Sequence, residues 1–197
     1  MSPHESETMT YLDTPDESPL YAADAAICGF VPNYTRVFAL RPEVYQGWLQ
    51  LGGAVRNGMD LRRYELVTVA TARVIGSKYC GLAHAQKLQE FYDDEALSAI
   101  LRDHHDAELA PVDVAIMDFA SKVATDPTTI TEADAETLRR FGLSDGDVFQ
   151  IVLAVSLRRF FSGVLSAVGA VADQEYEKLA PEIRSAVDAF GARSSHS

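Results

Sequence analysis

The sequence predicts an all-α fold, a bundle of antiparallel helices. Apolar residues recur at spacings of three and four along most of the chain, and Pro, Ser, Thr, Asp and Gly punctuate the stretches so patterned. No run of alternating Val, Ile and Thr suggests a sheet.

Residues 1–20, MSPHESETMTYLDTPDESPL, are rich in Ser, Pro, Glu, Thr and Asp and read as a flexible acidic arm, ordered if at all by packing on a neighbour. A single helical domain is expected over residues 21–197. Pro42 suits the first turn of a helix whose stripe is Val44, Trp48, Leu51 and Val55, ended by Gly58. Asp60 caps the next, LRRYELVTVATARVI, which stops at Gly76. Ser77 caps a third helix over residues 78–92, and a short one runs from about Asp94 to Leu101. Pro111 opens a helix carrying Val114, Met117, Phe119 and Val123, broken by Asp126-Pro127. Thr131 with Asp134 resembles a capping box for a helix to Arg140. Ser144 caps a long apolar helix to about Gly169, and a last helix follows Pro181.

The chain has 197 residues, enough to bury a full core without metal or disulfide staples, and 47% of them are apolar. Its formal net charge of −12 repels phosphate backbones and excludes a polybasic membrane patch. Two distant cysteines make no secreted disulfide framework, and the first residues hold no apolar run of the signal-peptide kind, so a reduced, cytoplasmic setting is expected. The most apolar stretch, VFQIVLAVSLRRFFSGVLSAVGAVA, carries Arg158 and Arg159 at its centre and reads as a buried helix rather than a membrane span.

The chemistry concentrates in SKYCGLAH, residues 77–84. Ser77 as N-cap accepts from the backbone N–H of Cys80, and the helix dipole in that first turn favours a thiolate. His84, one turn on, lies on the same face and can take or return the thiol proton. If the helices on either side of Gly76 form a hairpin, Glu65 lies roughly 16 Å back from the turn, His84 about 12 Å forward and Cys80 about 6 Å, at ~1.5 Å per residue. Glu65 is then more nearly level with His84, giving the order Glu65–His84–Cys80. Against this stands a plain alternative: a lone cysteine packed as a small apolar residue, and a glutamate reaching solvent from a helix edge.

The stretch from Glu65 to His84, E-x11-S-K-Y-C-G-L-A-H, resembles the carboxymuconolactone decarboxylase and alkyl hydroperoxide reductase D-like (AhpD-like) superfamily, whose thiol-active members carry E-x11-C-x-x-C-x-x-x-H. FVPNYTRVFALRPEVYQGWLQL resembles its lead-in segment. The D-P-x-x-I-T-x-x-D and L-R-x-x-G-x-S-D patterns over residues 126–145 resemble its peroxidase-related branch. The resemblance covers about 170 residues, from 28 onward. It implies an AhpD-like helical bundle with the cysteine at the N-terminus of a central helix, and a homo-oligomer, whether dimer, trimer or hexamer. By matching position, Cys80 would attack peroxide, His84 and Glu65 would relay its proton, and Ser77 and Tyr79 would support the site. No cofactor and no metal are implied. The chain departs from the family at Ser77, where the resolving cysteine should stand, because a serine cannot condense with a sulfenic acid. Turnover then needs an external thiol reductant or Cys28, which in ICGFVP reads as a small packed residue. A second departure is Ser162-Gly163, where the branch often has Asn-Arg.

The expected function is a peroxidase-related thiol oxidoreductase acting on a peroxide or small organic substrate. The alternatives are a non-redox, decarboxylase-like enzyme using Glu65 and His84 on a small acid or lactone, and a non-catalytic member. His104, His105 and Asp106 read as a solvated loop rather than a metal site. For Arg158 and Arg159 two readings stand: one pairs with an acid while the other snorkels, or one lines the thiol pocket and meets an anionic substrate. Tyr34, Phe38, Trp48, Tyr64 and Phe160 read as core or interface residues.

Overall fold

The computed structural model describes residues 9–191, and among these there are ten α-helices and no strand. The helices are α1 (Pro19–Cys28), α2 (Asn33–Phe38), α3 (Pro42–Asn57), α4 (Leu61–Ile75), α5 (Lys78–Leu88), α6 (Asp94–Arg102), α7 (Pro111–Thr125), α8 (Glu132–Arg140), α9 (Asp145–Ala167) and α10 (Pro181–Asp188). The helix starts follow the caps read from sequence. Asp60, Ser77 and Ser144 each accept from a backbone N–H of the first turn, and Thr131–Asp134 and Ser144–Asp147 are closed capping boxes.

Helix α4 is the axis of the bundle. Its residues Tyr64 to Ala72 are all buried, because α5, α7 and α9 pack around it. Arg62 and Arg63 fix its start by pairing with the buried Asp113 of α7 at 2.7 and 2.9 Å. Helix α10 closes over α5 and α6. The turn from α4 into α5 is tight: Gly76 sits at φ 78°, and the Ser77 N–H returns to the Ala72 carbonyl at 2.9 Å. The predicted hairpin is therefore present. Gly81 lets α5 approach α10, since a Cβ there would lie 2.7 Å from the Phe190 ring and 2.8 Å from Val187.

Three details depart from the sequence reading. Helix α1 starts at Pro19, within the stretch read as an arm, capped by Ser18 and ended at Gly29. Its buried Asp24 accepts from Thr35 at 2.5 Å and Tyr45 at 2.7 Å, which ties α1 to α2 and α3. Residues 9–11 are docked: Tyr11 N–H and the Thr10 hydroxyl both donate to the Val168 carbonyl, at 2.9 and 2.6 Å, capping the end of α9. The arm reading of residues 1–8 lies outside the described residues. Helix α5 ends at Leu88 rather than at Tyr92, whose hydroxyl accepts from Arg62 at 2.6 Å.

The α3 stripe is only partly core. Val55 is buried, but Val44 and Leu51 are 39% and 55% exposed, and with Phe160 of α9 they line an open apolar groove. Helix α9 is, among the described residues, long and apolar enough to cross a membrane; here it packs against α3, α4, α7 and α8 with Arg158 and Ser162 on its buried face.

Candidate active site

Cys80 is the third residue of α5 and is buried, with its N–H 3.5 Å from the Ser77 hydroxyl. Two donors from α9 converge on its sulfur: the Ser162 hydroxyl at 3.1 Å and an Arg158 Nη at 3.5 Å. They are four residues apart and so share one face of α9, the face turned to α5. Both donors can solvate a thiolate without water.

His84 stands one turn beyond Cys80, and its Nδ1 is hydrogen-bonded to Glu65 Oε2 across the α4–α5 hairpin. The pairing read from the hairpin register is present, and so is the expected level of the two residues. Burial, with Arg158 beside it, pushes His84 from 6.5 down to about 3, against the upward pull of Glu65. Burial pushes the Glu65 carboxyl up, but His84, Lys87 and Arg158 outweigh it and hold it below its usual 4.5. At neutral pH the pair is thus an anionic Glu65 accepting from Nδ1–H of a neutral imidazole. Nε2 is left as a base with no hydrogen bond among the described residues. Burial acts to discharge Arg158, but Cys80, Tyr64 and Glu65 hold its pKa above the ordinary value.

Tyr79 does not face the sulfur chemistry with a free hydroxyl. It donates to Asp173 and accepts from the Tyr34 N–H at 3.3 Å, and Asp173 also takes the Asn33 N–H at 2.7 Å. Tyr79 therefore pins the start of α5 to α2 and to the segment after α9.

Cys80, His84 and Arg158 lie on the wall of a cavity of about 610 Å³ whose other lining includes eight aromatic side chains. Cys28 lies on the same wall, exposed, with its sulfur 3.8 Å from the Tyr34 hydroxyl. This corrects the reading of Cys28 as a packed residue: α1 ends at Gly29 and leaves its last turn outside the core. The arginines divide between pocket and surface, as the first half of their second reading had it. Arg158 is buried at the thiol, while Arg159 is exposed. Ser162, read only as a departure from the family, touches the sulfur. The one signal available was two polar residues at i and i+4 inside an apolar helix. His104 is not solvated: it is buried, with Nε2 bonded to Asp118 at 2.8 Å. His105 is exposed and held by Asp103 and Asp118 at 2.8 and 2.9 Å, so carboxylates account for both rings.

No protein-family model matches the chain, and neither does any curated protein. Solved structures do. A peroxidase-related protein from Ralstonia eutropha, described as an alkylhydroperoxidase AhpD core, is 22% identical with a TM-score of 0.80, covering 87% of this chain and 96% of its own. A peroxidase-related protein from a Silicibacter species is also 22% identical at a TM-score of 0.80, covering 90% and 98%. The debrominase Bmp8, solved with 2,3,4-tribromopyrrole, is 13% identical at a TM-score of 0.68, covering 94% and 98%. At these identities the likeness shows the fold, which is AhpD-like.

Proposed function

We propose that this AhpD-like chain is a thiol-dependent oxidoreductase that reduces a hydroperoxide at Cys80. The observation that carries the reading is the sulfur itself, held by a buried guanidinium and a hydroxyl on the wall of a cavity that also holds His84, whose Nδ1 is tied to a carboxylate. His84 Nε2 takes the thiol proton, and Glu65 steadies the imidazolium so formed. The thiolate attacks the outer peroxide oxygen, the S–O bond forms as the O–O bond breaks, and the departing alkoxide takes the proton back from His84. The products are an alcohol and Cys80 as sulfenic acid; sulfur has given up two electrons. Ser77 caps the helix and cannot resolve the sulfenic acid, so an outside thiol or Cys28 must do so, each forming a disulfide and releasing water. The AhpD-like fold of two peroxidase-related proteins accords with this reading.

The test is mass spectrometry after stoichiometric hydrogen peroxide with a sulfenic-acid trap. Adduct on Cys80, lost in Glu65→Gln and His84→Gln, is expected; an unreactive Cys80 would sink the proposal. The Glu65–His84 pair also favours a second reading, proton transfer on a small acid or lactone without redox change. Full turnover by a Cys80→Ser variant would select it.

A further inference from the structure

We infer that the cavity beside Cys80 is shaped for one class of hydroperoxide: an organic one with a flat apolar body and a carboxylate at its far end. The inference rests on the reading of Cys80 as the attacking thiol and adds the substrate.

Size comes first. The cavity holds about 610 Å³, within the range that small-molecule sites occupy and many times the ~30 Å³ of one water. Hydrogen peroxide needs no such space. The lining then selects the body. Tyr34, Tyr45, Trp48, Tyr64 and Phe161 face it, and Trp48 stacks on Phe161 with centroids 4.3 Å apart. Flat rings favour a flat apolar partner.

Charge selects the far end. The chain is strongly acidic, with a net charge of −12, so most of its surface repels an anion. The cavity differs. Arg56 of α3 and Lys87 of α5 line it and are both exposed, so they stand where it opens to solvent. Arg56 has no carboxylate partner among the described residues, and Lys87 only reaches Glu65 at 3.9 Å. The wall's own carboxylate, Asp24, is occupied by Thr35 and Tyr45. Two further N–H groups of the wall residues, Trp48 Nε1 and Arg158 Nε, are buried without an acceptor. These donors are open to an oxygen-bearing ligand, while the neighbouring Glu65 Oε1 is itself buried without a hydrogen bond. A substrate lying from mouth to sulfur places its carboxylate at Arg56 and Lys87, its ring among the aromatics and its peroxide at Cys80.

The chain's single tryptophan lines both this cavity and the α3–α9 groove, so its fluorescence reports a ligand in either, and the Arg56→Gln arm assigns the response to the cavity. The experiment titrates 3-phenylpropanoate, the neutral 3-phenylpropan-1-ol and propanoate into the native chain, Cys80→Ser and Arg56→Gln, with calorimetry alongside. Saturable quenching is expected with the aromatic carboxylate in the native chain and in Cys80→Ser, weaker with the alcohol, and absent with propanoate. Arg56→Gln should weaken the carboxylate by about two- to fivefold, the scale of an exposed ion pair, and leave the alcohol unchanged. Equal affinity for carboxylate and alcohol, or no saturable binding of either, overturns the inference. Because Cys80→Ser lacks the attacking thiol, its binding decides the cavity's preference even if Cys80 proves inert to peroxide.

Discussion

Arg158 donates to the sulfur of Cys80 at 3.5 Å, and among the described residues no carboxylate forms an ion pair with it. A buried cation normally has an anionic partner, because leaving it alone costs several kcal/mol. At this site the group it meets is the Cys80 sulfur. Arg158→Met should therefore leave stability unchanged or raise it, since an uncompensated charge is removed from a packed site. The same change should slow iodoacetamide alkylation of Cys80 at neutral pH by about tenfold or more, the scale of a lost charge-assisted hydrogen bond. Thermal melts and alkylation rates read the two effects separately. An unchanged alkylation rate would show that the guanidinium does not serve the sulfur. Arg159, exposed on the same helix, is the control: Arg159→Gln should do neither.

Ser162 supplies the second donor, at 3.1 Å. Ser162→Ala should slow the same alkylation by about fivefold, as expected for one hydroxyl hydrogen bond of ~1 kcal/mol. Ser162→Thr, which keeps the hydroxyl, should recover most of the rate if the extra methyl fits; recovery in Thr but not Ala separates hydrogen bonding from packing.

The Glu65–His84 pair makes stability depend on pH in a stated direction. His84 titrates at about 3 in the folded chain and near 6.5 when unfolded, and Glu65 is held below 4.5. Below 6.5 the unfolded chain therefore binds more protons than the folded one, and stability falls as pH drops. Between 6.5 and 4.5 the His84 contribution should dominate, with a slope of up to about 1.4 kcal/mol per pH unit for one proton. His105, raised by Asp103, acts above 6.5 and outside that window. Urea midpoints across the window should be flatter in His84→Gln than in the native chain. Parallel curves would mean that His84 is protonated in the folded state.

Resolution can be read from two variants. Ser77→Cys restores a thiol three residues before Cys80, and peroxide should then give a 77–80 disulfide in place of a trapped sulfenic acid. Loss of the cap should cost about 1 kcal/mol at most, given that the Ser77–Cys80 contact is already long at 3.5 Å. In the native chain Cys28 lines the same cavity as Cys80, so non-reducing peptide maps after peroxide discriminate the routes. A 28–80 disulfide assigns resolution to Cys28. Its absence, with sulfenic acid persisting until dithiothreitol or glutathione is added, assigns it to an outside thiol.

Gly81→Ala tests how closely α5 meets α10. The added Cβ meets Phe190 at 2.7 Å and Val187 at 2.8 Å, both in the core. Overpacking of this kind costs about 1–3 kcal/mol, and a melting temperature lower by about 2–4 °C for each kcal/mol is expected. A melt unchanged from the native chain would show that α10 yields freely.

Much of the fold was legible because helix ends are chemically local. Asp60, Ser77, Thr131 and Ser144 each satisfy backbone donors of the turn that follows, so the residue type and its position carry the signal. Glu65 and His84 were legible as a pair for a related reason: one tight turn at Gly76 sets the register of two helices. Helix α1 was harder to read. Its anchor is Asp24, which means nothing in sequence until Thr35 and Tyr45 are known to reach it. The α3 stripe was legible as an apolar face, but periodicity cannot say whether another helix covers it. Val44 and Leu51 face an open groove.

The sequence alone determined the all-helical class, the cap of α5, the place of Cys80 in its first turn and the Glu65–His84 pairing. Each depends on residues within one turn or one hairpin, where backbone geometry fixes distance. Only the tertiary structure decided which cation serves the sulfur, that Ser162 joins it, and that Cys28 shares the cavity. These contacts join α5 to α9 and α1, some 50 to 80 residues apart in the chain. At such separations the pairing is set by how whole helices pack, and no spacing in the sequence records it.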